Sequence, residues 1–245
     1  MAARRGAELA ALRAGYGIRG PVILYVGRLS AEKGVHVLLD ALGRVRARYP
    51  TATCILVGPD WGPIRRVRDP SRDPGSLARL DGTYVDHLRR QAASYGDRVV
   101  LAGVVPNHDL PLYYALADVL VAPSLLEAFG LPAVEAAACL PVVASATGGL
   151  LDTVVPGETG LLVPPGDAVA LARAIEEVLA DSARASALGR AGRERVAARF
   201  TWDRIAATLA AHYERVLERA PADRAQVLTS LAPLGGGQRA VHAAP

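Results

Sequence analysis

The sequence predicts an α/β fold built on a doubly wound parallel sheet, and three observations carry that prediction. Six short apolar runs recur along the chain, rich in β-branched residues and without apolar–polar alternation, as strands covered on both faces require. Amphipathic helical patterns fall between them. The chain of 245 residues is 51% hydrophobic, enough to bury a sizeable core.

Taken in order, residues 1–20 open with a charged helical pattern of linker type, followed by the main domain over 21–200. Strands are expected at 23–26, 54–57, 99–101, 119–122, 142–144 and 161–163. The first long helix is marked by Val35, Leu38, Leu39, Leu42 and Val45 on one face, with Pro50 just beyond its end. Further helices are expected at 83–95, 108–117, 131–139, 167–180 and 183–198, and a last, separate one at 201–218. Residues 58–82 read as a long loop, with prolines at 59, 63, 70 and 74, against a typical connection of about 4–6 residues. Residues 219–245 lack periodicity and read as a disordered tail.

Composition removes several classes of function. No run reaches the roughly 18–20 apolar residues of a membrane span, and no secretory h-region follows Met1, so a cytoplasmic location is the default expectation. The net charge of +4 comes from arginines spread along the chain without interleaved aromatics, which speaks against nucleic acid. Cys54 and Cys139 lie far apart and read as buried thiols rather than a metal or redox pair. The five histidines, at 36, 87, 108, 212 and 242, show neither metal-ligand nor triad spacing. With no Gly-x-Gly-x-x-Gly after any strand, a dinucleotide oxidoreductase is a weak reading.

Two segments carry chemistry. The first strand runs into Gly27-Arg28-Leu29-Ser30-Ala31-Glu32-Lys33-Gly34, directly before the first long helix. Gly27 lets a ligand approach the backbone, and Arg28 and Lys33 place a bidentate and a compact cation beside it, a pair suited to a diphosphate. Lys33 is the sole lysine in the chain, the other 27 basic residues of its 28 being arginine. The second segment is Glu127-Ala128-Phe129-Gly130-Leu131-Pro132-Ala133-Val134-Glu135. Pro132 suits the first turn of a helix and leaves the Gly130 and Leu131 amides free to face a ligand, while two carboxylates eight positions apart can accept from the paired hydroxyls of a sugar and a ribose. Taken alone, the first segment is also compatible with an ordinary strand–helix turn, and the second with a cap and a surface acid.

Together these segments resemble the C-terminal, nucleotide-sugar-binding domain of the family-4 retaining glycosyltransferases, whose GT-B architecture joins two Rossmann-like halves. The resemblance covers roughly residues 15–218. It extends to Leu24-Tyr25-Val26-Gly27-Arg28-Leu29, Pro141-Val142-Val143-Ala144, Gly148-Gly149 and Pro156-Gly157-Glu158-Thr159-Gly160-Leu161-Leu162-Val163. It implies catalytic roles for Arg28 and Lys33 at the donor diphosphate and for Glu127 at the transferred sugar. Glu135 would bind the nucleotide ribose. Gly27, Phe129, Gly130 and Leu131 would meet sugar and phosphate, and Val104 and Val105 would border the base. No metal and no cofactor beyond the nucleotide-sugar substrate is implied.

The same resemblance leads us to expect an acceptor domain on another chain, or self-association, with the 201–218 helix bracing that domain. A noncatalytic nucleotide-binding or interaction module from a truncated glycosyltransferase is the alternative. Two departures stand out. The glycine usual between Cys139 and Leu140 is missing, and Leu151-Asp152 replaces a Pro-Glu pair.

Overall fold

The structure, a computed structural model, describes residues 2–59, 66–68, 77–79 and 83–218. The chain divides into two units, residues 1–200 and 201–245. In the first, helix α1 (Ala2–Gly15) precedes β1 (Val22–Val26), α2 (Val35–Arg48), β2 (Thr53–Val57), a short antiparallel pair β3 (Arg66–Arg68) and β4 (Leu77–Arg79), α3 (Tyr84–Ala93) and β5 (Val99–Gly103). Then follow α4 (Leu110–Leu116), β6 (Val119–Ala122), α5 (Leu131–Ala137), β7 (Val142–Ser145), α6 (Leu150–Thr153), β8 (Gly160–Val163), α7 (Ala168–Ala180) and α8 (Ser182–Arg199). The second unit contains α9 (Trp202–Glu218), an amphipathic helix.

Six strands form one wholly parallel sheet in the order β5-β2-β1-β6-β7-β8. Successive residues of each strand feed opposite layers. Ile23 and Tyr25 pack with α2, α3 and α7 on one face, while Val22 and Leu24 pack with α4, α5 and α6 on the other. That two-sided burial is why the strands read as unbroken apolar runs.

Three differences from the sequence reading have local causes. Within the region expected to be loop, the β3–β4 pair forms through the register Arg66↔Arg79, Val67↔Ala78 and Arg68↔Leu77. Residues 60–65, 69–76 and 80–82 of that region, and the tail expected at 219–245, lie outside the described residues. Helix α5 stops at Ala137, and the amides of Cys139 and Leu140 both bond the Ala136 carbonyl at 2.7 and 2.8 Å, closing the turn without the missing glycine. Cys139 is thereby exposed rather than buried. Cys54, within β2, is fully buried, and desolvation pushes its thiol up to about 12.

Candidate functional site

The sheet order reverses direction between β1 and β6, because the chain runs outward from β1 through β2 to β5 and then returns to place β6 on the other side of β1. In doubly wound sheets the loops leaving the carboxyl ends of such a pair part to opposite faces and leave a crevice. Here those loops are 27–34 and 123–130, the two segments that stand out in the sequence.

The loops are tied together by backbone. The Glu32 carbonyl accepts from the Leu125 and Leu126 amides at 2.8 and 3.1 Å. Gly34 turns the chain into α2 at φ 65°, and a Cβ there would lie 2.0 Å from the Pro123 carbonyl oxygen, so only glycine permits this approach. A third loop closes in from β7. Gly148, at φ 48°, leaves no room for a Cβ against the Glu127 carbonyl, and the Gly149 amide bonds that carbonyl at 3.1 Å. The Gly148-Gly149 pair thus serves the backbone packing of the Glu127 loop.

Across this junction Lys33 Nζ donates to Glu127 Oε2 at 2.8 Å, and the Ser124 hydroxyl donates to the same oxygen at 3.1 Å. The pair is shielded, with 16% and 13% of the side chains exposed. Burial by itself would raise the Glu127 carboxyl. Hydrogen bonds from Lys33, Ser124 and the Phe129 amide, together with the lysine charge, outweigh burial and hold it below the ordinary value. Arg28 lies 3.6 Å from the Glu32 carboxylate, which also accepts from the Ser30 hydroxyl at 2.6 Å. The buried Tyr25 hydroxyl donates to the Arg28 carbonyl at 2.7 Å and fixes the backbone there.

Gly27, Arg28, Lys33, Glu127, Phe129, Gly130 and Leu131 all line one cavity of about 360 Å³, joined by Tyr25 and Ser124. The structure therefore brings together seven of the ten residues singled out from the sequence. Gly130 is the N-cap of α5 at φ 87° and Pro132 lies in the first turn, as the sequence indicates.

The other three lie elsewhere. Val104 and Val105 line a separate hollow of about 540 Å³ with Leu12 of α1 and Tyr113 of α4. Glu135 is outside the cavity lining, with its carboxylate accepting from the Tyr114 hydroxyl at 2.8 Å. Asp152, of the second departure, uses its carbonyl to accept from Arg195 at 2.6 Å. In the Pro156–Val163 motif, the buried Thr159 hydroxyl accepts from the Val155 amide at 2.8 Å, which makes it an entry turn to β8.

Sequence reasoning missed Ser124 and Tyr25. Ser124 had a faint signal, a hydroxyl three positions before an acid at a strand end. Tyr25 had none, since an aromatic in a buried strand reads as core.

A wholly parallel sheet flanked by helices, with a basic turn and an acidic loop at its switch point, defines an α/β domain of the Rossmann-like class. The sequence profile of the family described as Glycosyl transferases group 1 matches residues 12–195, and the chain belongs to that family. It is 36% identical over 222 residues to a glycogen synthase of Mycobacterium tuberculosis, a match covering 87% of this chain and 48% of that protein. It is equally 36% identical over 217 residues to the 2-deoxystreptamine glucosyltransferase of Streptomyces kanamyceticus, covering 86% of this chain and 50% of the relative. The chain thus spans about half the length of these relatives.

Among solved structures, sucrose-phosphate synthase from Thermosynechococcus elongatus is 42% identical with a TM-score of 0.68, over 86% of this chain and 49% of that one. Anabaena HepE, in complex with UDP-glucose, is 30% identical with a TM-score of 0.68, over 84% of this chain and 53% of that one. The chain thus matches about half of each of these structures, and its Rossmann-like fold is that of one half of a GT-B architecture.

Proposed function

We propose that this chain is the C-terminal, donor-binding half of a family-4 retaining glycosyltransferase, binding a nucleoside diphosphate sugar and transferring its hexose to an acceptor held by a further domain. The observation that carries this reading is the 2.8 Å Lys33–Glu127 contact across the switch point, in one cavity with Arg28. An ammonium has three donors, and Glu127 engages one, leaving others for phosphate oxygens. Glu127, held ionised, accepts from sugar hydroxyls. HepE, similar in fold and crystallised with UDP-glucose, supports the donor class.

Departure of the sugar leaves negative charge on the diphosphate, and cations fixed beside it stabilise that charge as it develops. At ~4 Å and an effective dielectric of ~20, one such contact amounts to about 4 kcal/mol before desolvation. No metal ion is required for this role. Attack on the same face, with the leaving phosphate taking the acceptor's proton, retains the anomeric configuration and needs no histidine base. His36 is instead engaged by Tyr84, with its Nδ1 2.8 Å from the hydroxyl.

Calorimetry with UDP, GDP and their hexose conjugates tests the site. Relatives carry GDP-mannose in their names, so both bases are included. Lys33→Ala should weaken binding about tenfold or more, the scale of a lost charged hydrogen bond, and Glu135→Ala should weaken it as well. Unchanged affinity in both variants sinks the assignment. Donor binding with no sugar transfer when an acceptor domain is supplied would leave a noncatalytic nucleotide-binding module.

A further inference from the structure

Helix α4 is short and buries Tyr113, Tyr114 and Leu116, and Tyr114 is a core residue of the layer it builds. The ring packs in the same cluster as Ala133, Ala136 and Ala137 of α5. Its hydroxyl reaches the edge of that layer and donates to Glu135 Oε2 at 2.8 Å. Glu135 is itself an exposed residue, and among the described residues the Tyr114 hydroxyl is the one side-chain partner of its carboxylate.

An exposed helical glutamate with no cation beside it ordinarily samples several rotamers. A charge-assisted bond from a rigid, buried ring removes that freedom. A carboxylate has about four lone-pair sites on two oxygens, and the tyrosine takes one of them on Oε2. Among the described residues no second hydrogen-bond partner engages Oε1 or the rest of Oε2, and an exposed residue can offer those sites to a ligand with paired hydroxyls. Burial, and next the bond to Glu135, raise the Tyr114 pKa far above its ordinary value, so this hydroxyl keeps its proton and remains a donor.

We propose that Tyr114 is a positioning residue for nucleotide recognition: its hydroxyl holds the Glu135 carboxylate in the orientation from which the remaining lone pairs accept from a ribose diol. This rests on the donor-binding reading above and on the ribose contact that the family resemblance implies for Glu135. The residue touches no substrate and acts through Glu135. Its contribution is selectivity for a ribose over a deoxyribose, because a carboxylate already aligned loses less freedom when two hydroxyls engage it together.

The experiment compares the tightest binder among UDP, GDP and ADP with its 2′-deoxy analogue on the wild-type chain, Tyr114→Phe and Glu135→Gln. The wild type should favour the ribonucleotide by about tenfold, and both variants should reduce that preference to about twofold or less, with the phosphate-dependent part of binding retained. Preference lost in Glu135→Gln but kept in Tyr114→Phe overturns the role of Tyr114 and leaves the glutamate reading standing. Preference kept in Glu135→Gln defeats the ribose contact, and the tyrosine inference with it. A purely structural Tyr114 would lower the melting temperature and weaken both nucleotides equally, which also overturns the proposal. Should Tyr114→Phe fold poorly, wild-type protein carrying 13Cζ-labelled tyrosine gives a second readout. The Tyr114 resonance should move with the ribonucleotide and stay still with the deoxy analogue; equal movement with both counts against it.

Discussion

At the scale of single residues, the sole lysine of the chain has been placed where an arginine would serve less well. Lys33 presents a compact charge to one oxygen of Glu127 in a shielded pocket, and a planar guanidinium would fill that space differently. Because the folded-state pKa of Glu127 is depressed, its stabilising contribution is fully present above the unfolded carboxylate value of about 4.3 and is lost as pH falls through the lower folded value. Glu127→Gln should therefore destabilise the protein by about 1–2 kcal/mol near neutral pH, and the gap to wild type should hold down to about pH 5 and then close. Denaturant unfolding at a series of pH values measures it, and a gap that stays constant into strong acid would mean that the pair is not ionic. The partnership itself was not legible by residue patterns, because 94 positions separate the two side chains. Local spacing suggested each segment's chemistry, and only the family resemblance joined them. The Tyr114–Glu135 bond was hidden for a different reason, since an apolar-helix tyrosine carries no mark of where its hydroxyl emerges.

At the scale of elements, the parallel strands followed from unbroken apolar runs and helices such as α2 and α7 from periodicity, because each has apolar surface to bury. The α2 stripe from Val35 to Val45 is buried throughout, as its spacing indicates. Elements decided by backbone bonds rather than burial were not readable. The one-turn α6, the β3–β4 pair and the 3₁₀ turn Ala31–Lys33 have too few residues to set a period. That 3₁₀ turn matters most for function, since it carries Lys33 and ends at Gly34. Gly34→Ala would force a left-handed conformation costing about 1–2 kcal/mol on an L-residue and would drive its Cβ into the Pro123 carbonyl. The turn must then shift, which withdraws the Lys33 ammonium from Glu127. The expected result is a loss of stability of more than about 2 kcal/mol together with weaker nucleotide binding. Chemical denaturation and calorimetry on one preparation check both, and a variant that is destabilised yet binds normally would separate the turn from the site.

At the scale of the whole molecule, the switch point explains why cavity and fold are one arrangement: reversing the strand order at β1 and β6 creates the crevice before any side chain is chosen. Sequence alternation revealed the sheet but not its order, and the order puts the two segments together. The same edge of the domain is apolar at its rim. Phe129 and Leu131, in the cavity lining, are 41% and 61% exposed, and Leu126 and Leu151, on the neighbouring loop and on α6, are 69% and 56% exposed. Such apolar residues are suited to contact with another protein surface, and a purified preparation of these 245 residues supplies a second copy as that surface. We therefore expect association that rises with concentration, seen as a shift to higher sedimentation coefficients over about a hundredfold range. Leu126 and Leu151 are outside the cavity lining, so the double variant Leu126→Asp/Leu151→Asp should restore the monomer and leave nucleotide affinity unchanged. A wild-type chain that sediments as a monomer throughout that range would show that the rim is too small to hold two copies together. A double variant that still associates would place the contact on another face.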